Sequence, residues 1–441
     1  MLLKYIVDNF KSIGHSVEFS MFPTEMDTDE RFLKTIKTKA GEWKILCRSG
    51  FFGPNASGKS SFIESLAFAR NFIINGQKSG KGTGVNQFKG QFEELNNISM
   101  FQFIFYLDNE VYEYGFSLDR QQVYEEWLMI LTENDMVPLF TRVTDTLGRT
   151  QIDIEQQFGQ EKERRLAEAL KEGIQENQKN QLFLYKLYDN GIKTAEDIVS
   201  WFKNLQIIFP KTKVKGLPLR LQQDDDFRTF IAESLKNLDT GVFNLSIASD
   251  EMDFHEFAEK VDLPKELIEE IEEMKSGIVN LKGKYFIFAE GKKSRTVMIQ
   301  IKFEHYLNKR IIPFNMEDES DGTQRLLDLL PILFAMKEGN PSIYCVDEID
   351  RSLHTKLSQY LLNEFINNCD ETNNQIIFTA HDVNLINLDN FRKDEIWFIE
   401  KNDLGESKLK PLSDFNLQSG QDALKAYLSG RFGAIPMIRR K

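Results

Sequence analysis

The chain lacks any apolar run of the roughly 20 residues that a helix needs to cross a bilayer. Its first twenty residues lack the basic start, apolar core and cleavage site of a secretory signal. It has only three cysteines, Cys47, Cys345 and Cys369, whose spacing fits neither a metal site nor a disulfide framework. These absences argue against a membrane transporter and predict a protein of the reducing cytoplasm, with Cys47 and Cys345 as buried thiols.

Positive charge is also scarce. The chain has 55 basic and 68 acidic residues, a formal net charge of −13 at pH 7. A field of that sign argues against a protein whose whole surface binds nucleic acid. The best candidates for a local basic patch are KTKVKGLPLR (211–220) and the tail IRRK (438–441), and an ordinary solvated surface is the alternative for both.

The periodicity of the apolar residues divides the chain into three segments. Residues 1–155 read mostly as alternating strands, which predicts an antiparallel sheet, beginning with a hairpin. Residues 156–288 show helical spacing, as in the run 154–187 and in LPKELIEEIEEMK (263–275). From 289 to 441 helices alternate with buried strands, which predicts a parallel, doubly wound sheet. The expected fold class is therefore α/β, with one α/β unit split by a helical insertion.

A phosphate-binding loop stands between a predicted strand and a predicted helix. The stretch FFGPNASGKSS contains Gly53 and Gly58, followed by Lys59 and Ser60, in the pattern G-x-x-x-x-G-K-S. The glycines let backbone N–H groups turn toward phosphate oxygens, and the helix N-terminus adds its dipole. Lys59 would reach the β- and γ-phosphates of ATP, and Ser60 would coordinate Mg²⁺.

A second glycine-rich stretch, GQKSGKGT (76–83), resembles this pattern only superficially. Its first interval is one residue short, and Gly82 occupies the position of the hydroxyl residue. No apolar strand leads into it. We therefore expect a loop there and no phosphate site.

Two acids and a histidine follow buried strands. SIYCVDE ends in Asp347, which would hold Mg²⁺, and Glu348, which could take a proton from the attacking water. QIIFTAHD places His381 after the next strand, where it could contact the γ-phosphate. Capping acids and a structural histidine are the alternatives, and the upstream phosphate loop favours the functional reading.

The stretch ESDGTQ (319–324) opens an apolar helix that leads into the acid-bearing strand. Free N–H groups at a helix start suit an anion, and the Ser320 hydroxyl adds a donor. The chain already has a phosphate loop. We therefore expect Ser320, Gly322 and Gln324 to bind the γ-phosphate held by a second copy of the protein.

The order GPNASGKS, SDGTQ, VDEID and TAH, with NFKS (9–12) near the start, resembles the ABC-type ATPase heads of the SMC/RecF-like group. The resemblance covers about 1–155 and 289–441 and implies a head with a parallel core and an antiparallel β subdomain, interrupted by the insertion. It also implies a homodimer or higher homo-oligomer with two ATPs between heads, and it places the family's D-loop at DRSLH (350–354). For the nucleotide, the resemblance implies Gly53, Asn55, Gly58, Lys59, Ser60 and Ser61. For Mg²⁺ it implies Ser60 and Asp347, with Glu348 as general base and His381 as switch histidine. For the contact in trans it implies Ser320, Gly322 and Gln324.

The chain departs from the family pattern in two places. Asp321 and Thr323 stand where the signature has glycines, although the serine and the helix start remain. The glutamine that senses Mg²⁺ in such heads has no obvious counterpart. Gln87, Gln91 and Gln102 are the candidates.

ESDGTQRLLDLLP, the strand ending VYEEWL and AYLSGRFGAIP (426–436) carry a narrower resemblance. They are similar to single-chain ATPases of prokaryotic phage-defence operons, namely RloA/AbiL-type proteins, the ATPase subunit of PARIS and, more distantly, the OLD ATPases. This implies a sensor or scaffold that controls a nuclease or toxin encoded nearby, often of TOPRIM type, with nucleic acid or a phage protein as trigger. No nuclease constellation occurs in this chain, and we expect no C-terminal TOPRIM domain. GRFGAIP (430–436) is either a partner contact or a turn that packs the terminus.

Two other functions remain open. A RecF-like role in DNA repair or chromosome maintenance requires a basic groove, which the acidic total disfavours. A regulatory module that holds ATP without hydrolysing it is disfavoured by Glu348.

Overall fold

The structure, a computed structural model, describes residues 1–24, 30, 32–78, 80–90, 97–133, 135–145, 147–214, 216–252, 254–260, 264–265, 268–269, 277–281, 284–288, 296–339, 341–367, 372–417 and 422–435. The strands are β1 (Leu2–Asp8), β2 (Val17–Ser20), β3 (Leu33–Thr38), β4 (Gly41–Leu46), β5 (Arg48–Phe52), β6 (Ser99–Leu107), β7 (Glu110–Leu118), β8 (Val123–Leu131), β9 (Met136–Thr144), β10 (Thr150–Ile154), β11 (Leu205–Ile208), β12 (Val242–Met252), β13 (Gly277–Leu281), β14 (Lys284–Phe288), β15 (Thr296–Leu307), β16 (Arg310–Asn315), β17 (Ile343–Val346), β18 (Gln375–Thr379), β19 (Ile396–Lys401) and β20 (Ser407–Pro411). The helices are α1 (Lys59–Asn75), α2 (Glu161–Asn177), α3 (Phe183–Asp189), α4 (Lys193–Lys203), α5 (Leu217–Gln223), α6 (Asp225–Asn237), α7 (Phe254–Lys260), α8 (Asp321–Lys337), α9 (Thr355–Asn367) and α10 (Ala423–Leu428). No helix in the described part of the chain combines the length and apolar content that a bilayer crossing requires.

The first of two compact units comprises residues 1–210, 339–350 and 358–441. It holds a six-stranded sheet in the order β11-β17-β18-β5-β19-β20, parallel except for the antiparallel edge strand β20. The seven-stranded antiparallel sheet β10-β9-β8-β7-β6-β1-β2 belongs to the same unit. The predicted α/β class, the pairing of a parallel with an antiparallel sheet, and the opening hairpin β1–β2 are thereby confirmed.

An aromatic cluster fills the core between the sheets of this unit. Phe51 of β5 packs on Phe62 of α1, with ring centroids 4.7 Å apart, and on Phe19 of β2, at 5.2 Å. Trp397 of β19 contacts Phe19 at 5.3 Å. Strands β17 and β18 are buried along their whole length, as expected for parallel strands covered on both faces. Since β5, β17, β18 and β19 run parallel, their carboxyl ends meet at one edge, where such sheets bind ligands.

The predicted single helix over 154–187 is wrong at its start and in its middle. Ile154 ends strand β10, and Gly159 adopts a left-handed φ of 54° before α2 begins at Glu161. The run then breaks after Asn177, and α3 begins at Phe183. The buried carboxylate of Glu126 accepts hydrogen bonds from the N–H groups of Phe183 and Leu184, which satisfies two of the free donors at the start of the separate helix α3.

The middle segment also contains strands that the sequence did not reveal. β11 joins the core sheet beside β17, with Ile208 opposite Val346. A strand of four residues is too short for its two-residue alternation to be recognised in the sequence. The predicted helix at 263–275 falls largely outside the described residues, and the division of the chain at 155 and 288 stays a prediction.

The second unit comprises residues 211–338 and 351–357. Its sheet has the order β12-β15-β14-β13, and β16 pairs with β15. Helix α8 packs on α6 through Phe334, whose ring lies 5.0 Å from that of Phe227. Cys47 and Cys345, both in the first unit, are buried free thiols, as predicted.

Candidate nucleotide site

The loop between β5 and α1 has a conformation that only its glycines allow. A Cβ on Gly53 would lie 2.1 Å from the carbonyl oxygen of Ile399 in β19. Gly58 has a φ of +115°, and a Cβ there would lie 2.0 Å from the Ser407 hydroxyl. The two positions bring the loop backbone against neighbouring strands and leave its N–H groups at the start of α1, where an anion is favoured.

Lys59 bridges the loop. Its Nζ donates to the carbonyl oxygens of Gly53, at 2.6 Å, and Pro54, at 3.1 Å. Burial lowers the pKa of Lys59, while the carboxylates of Asp347, Asp350 and Glu348 oppose that shift. The Lys59 ammonium group therefore lies near three carboxylates, whose negative charges favour its protonated form.

Asp347 follows β17 and is 3% exposed. Its Oδ1 accepts hydrogen bonds from the hydroxyl of Thr379, at 2.7 Å, and from that of Ser60, at 3.2 Å. A serine hydroxyl and a carboxylate at this distance are oxygen ligands of the kind that Mg²⁺ prefers. The structure thus brings together two residues that stand 287 positions apart in the chain.

Glu348 adopts a left-handed backbone with a φ of 50°. Its N–H donates to the hydroxyl of Thr379 at 2.8 Å, which holds the strained residue in place. Its Oε1 lies 3.4 Å from Nε2 of His381, and the two side chains are 29% and 43% exposed. Both groups can therefore reach a solvent-accessible reactant.

These residues border one cavity of about 560 Å³ in the first unit. Of the predicted positions, Asn55, Gly58, Lys59, Ser60, Ser61, Glu348 and His381 line it, together with Ser12, Ala56, Ser57 and Lys401. Gly53 and Asp347 lie behind that lining, bonded to Lys59 and Ser60.

Sequence reasoning gave no supporting role at this site to two residues that lie in the stretches TAH and DRSLH. Thr379 joins Asp347 to the Glu348 backbone, and Asp350 accepts the backbone N–H groups of His381, at 2.8 Å, and Asp382, at 2.5 Å. Thr379 stands two positions before His381, which is a weak signal. Neither residue lines the cavity. Thr379 acts through Glu348 and Asp350 through His381, and the sequence does not reveal these contacts.

The signature residues lie in the second unit. Ser320 is the N-cap of α8, and its hydroxyl oxygen accepts the N–H of Thr323 at 3.2 Å. A Cβ on Gly322 would lie 2.8 Å from the carbonyl oxygen of Ser352, so the helix start packs tightly there. The Gln324 amide donates to the carbonyl oxygens of Met316, at 3.0 Å, and Glu319, at 3.1 Å. The predicted helix N-terminus is present, and the contact in trans stays a prediction.

The structure adds no support for any of the three candidates for a Mg²⁺-sensing glutamine. Gln91 lies outside the described residues. Gln87 donates to the carbonyl oxygen of Asn97, and Gln102 belongs to β6. Neither lines the described cavity. The loop at 76–83 follows α1 without a preceding strand, as predicted, and Asn180 donates to the Lys78 and Lys81 carbonyl oxygens.

Acids neutralise part of the basic segment 211–220. Lys213 contacts Asp328 at 2.9 Å, and Arg220 contacts Glu338 at 2.9 Å and Asp224 at 3.5 Å. The other basic segment, 438–441, lies outside the described residues. Two basic residues of the segment 211–220, Lys213 and Arg220, are therefore paired with acids of their own unit.

The residues 430–435 pack on β19. The Phe432 ring stacks on Phe398 with centroids 5.4 Å apart, and the Ala434 N–H donates to Glu400 at 2.8 Å. The hydroxyl of Tyr427 donates to the Ala434 carbonyl oxygen at 2.6 Å. These contacts favour a turn that packs the end of the chain, the plainer of the two interpretations of GRFGAIP.

A family model described as "AAA domain, putative AbiEii toxin, Type IV TA system" matches residues 49–387 of the chain, more than half of it. None of the curated proteins compared with the chain matches it. Among solved structures, an SMC head bound to the C-terminal winged-helix domain of ScpA is 13% identical, with 93% of this chain and 97% of that chain covered and a TM-score of 0.46. The SMC head of Thermotoga maritima is 13% identical, with 93% and 98% covered and a TM-score of 0.36. A Pyrococcus furiosus Smc head with an extended coiled coil is 15% identical, with 98% and 99% covered and a TM-score of 0.38.

Proposed function

The chain belongs to the AAA domain family described as a putative AbiEii toxin of a type IV toxin–antitoxin system, and from that membership we propose that its cavity binds and hydrolyses Mg-ATP. The protein is an ATPase. The observation that supports the assignment of its site is the convergence of Lys59, Ser60, Asp347, Glu348 and His381 on one cavity.

Each of these groups has a chemical task in the proposed reaction. Lys59 and the loop N–H groups hold the phosphates. Ser60 and Asp347 would hold Mg²⁺, which neutralises developing phosphate charge when bound. Glu348 accepts a proton from the attacking water, and His381, 3.4 Å from Glu348, positions that water.

A second copy of the chain would complete the site. The exposed N-cap Ser320 and the start of α8 offer an anion-binding end, and the first unit already supplies a full phosphate loop in cis. The resemblance to ABC-type heads supports an arrangement in which each Ser320 faces the other copy's ATP. ATP binding would then join two heads, and hydrolysis would release them.

In the cell, this cycle would serve a bacterial anti-phage system. The protein would act as sensor and scaffold and would control a nuclease or toxin partner of TOPRIM type, with nucleic acid or a phage protein as trigger. The toxin–antitoxin description of the family supports this role. The alternative in DNA repair has less support because the chain is acidic overall and Lys213 and Arg220 of the basic segment are paired with acids.

The test uses the Glu348→Gln variant, which should bind ATP and trap joined heads. We expect turnover to fall at least about a hundredfold, the scale of general-base catalysis, and light scattering to show a dimer or larger assembly only with ATP and Mg²⁺. A pull-down from the native host should recover a nuclease or toxin. Unchanged turnover would refute the assignment of Glu348, and recovery of duplex DNA alone would favour the repair role.

A further inference from the structure

The cavity is lined by a second lysine that neither the motifs nor the resemblance assigned. Lys401 is the last residue of β19 and is exposed, and it lines the cavity together with Ser12 and the phosphate loop. Among the described residues, no acid forms an ion pair with its ammonium group. ATP carries several negative charges, and Lys59 is the other lysine of this lining.

The order of the sheet places Lys401 away from the groups that act on the γ-phosphate. β5, which leads into the phosphate loop, lies between β18 and β19. On one side, β17 and β18 lead to Glu348 and His381, and on the other side β19 leads to Lys401. Neighbouring strands lie about 4.8 Å apart, so the phosphate loop separates Lys401 from the hydrolytic residues.

Buried contacts fix the position of Lys401 relative to the loop. In the β19–β20 ladder Lys401 lies opposite Ser407, which is 3% exposed. The Ser407 hydroxyl donates to the Ser57 carbonyl oxygen at 2.7 Å and lies 2.8 Å from the Ser12 hydroxyl. The Ser407 N–H also donates to the Ser12 carbonyl oxygen at 2.8 Å. The strand paired with the end of β19 is therefore hydrogen-bonded to the phosphate loop at Ser57.

We propose that Lys401 binds the nucleotide at its α-phosphate and ribose end, and thereby raises the affinity for ATP and ADP alike. This inference rests on the proposed nucleotide site. An ammonium group binds phosphate oxygens as a compact charge with three donors. Because that end does not react, the contact is equally strong before and during hydrolysis, so it lowers KM and leaves kcat unchanged.

The experiment compares Lys401→Ala with Lys401→Arg and with the matched control Lys410→Ala. Lys410 lies on β20 of the same hairpin, contacts Glu400 at 3.3 Å and does not line the cavity. We expect Lys401→Ala to weaken ADP and ATP binding equally, by about tenfold, as for the loss of one charge-assisted contact. kcat should stay unchanged, Lys401→Arg should retain most of the affinity, and Lys410→Ala should match the wild type.

Two results would overturn the inference. Unchanged affinity in Lys401→Ala would show that the side chain makes no contact, and a loss confined to ATP would place it at the γ-phosphate. Lys59→Ala, measured in parallel, separates this failure from that of the proposed function. If Lys59→Ala also binds ATP normally, the whole site is wrong, whereas impaired binding in Lys59→Ala alone refutes only the role of Lys401.

Discussion

Replacing Thr379 by valine removes one buried hydroxyl from behind the cavity lining and changes the side-chain volume little. In the structure that fully buried hydroxyl donates to Oδ1 of Asp347 and accepts the N–H of Glu348. The substitution therefore breaks two hydrogen bonds and removes the Thr379 hydroxyl as acceptor of the Glu348 N–H. It also frees the Asp347 carboxylate to rotate away from Ser60.

The expected loss follows from these contacts. A hydrogen bond to a charged acceptor contributes about 1.5–3 kcal/mol, and an ordinary hydrogen bond to a hydroxyl contributes about 0.5–1.5 kcal/mol. Because both bonds meet at one atom, their losses do not add fully, and we expect a decrease of about 3 kcal/mol in the free energy of unfolding. A less constrained Asp347 carboxylate should also raise the Mg²⁺ concentration that is needed for half-maximal ATPase activity.

Urea unfolding without nucleotide measures the first effect, and a Mg²⁺ titration of turnover measures the second. The matched control is Thr379→Ser, which keeps the hydroxyl and loses only a methyl group. It should stay close to the wild type in both measurements. Equal urea midpoints for Thr379→Val and the wild type, or equal damage in the two variants, would refute the reasoning.

Three further predictions follow from other contacts. Ser320→Arg should bind ATP but lose turnover, and Lys59→Ala should lose ATP binding. If two-fold dimers form at random, an equal mixture of the two variants should regain about a quarter of wild-type ATPase activity. No recovery of activity would contradict the contact in trans. Glu126→Ala should lower the free energy of unfolding by about 3–5 kcal/mol because it leaves the buried Arg142 guanidinium, 3.6 Å away, without its carboxylate; urea unfolding checks this. Any duplex-DNA affinity should have a shallow salt dependence, with fewer than about two phosphates neutralised, and a steep slope would restore the repair role.

The motif residues could be located from the sequence because each has a local signature. Gly53, Gly58 and Lys59 stand at fixed spacing between a strand and a helix, and Asp347 ends a short apolar strand. Parallel strands place their carboxyl ends at one edge, so the motif residues Ser60 and Asp347, which follow different strands, were expected at one site, and their side chains lie 3.2 Å apart. The helix start at Ser320 was predicted for the same local reason, a capping residue before an apolar run.

The sequence alone determined the nucleotide loop, the acids at the strand ends and the alternation of strands and helices, because backbone conformation and burial impose those patterns on neighbouring residues. Only the tertiary structure decided which groups support them. The supporting roles of Thr379, Asp350 and Lys401 could not be read from the sequence, since what each contacts depends on which strands are neighbours in the sheet. Strand order is set by packing of the whole core, so contacts between adjacent strands remain invisible until the chain has folded.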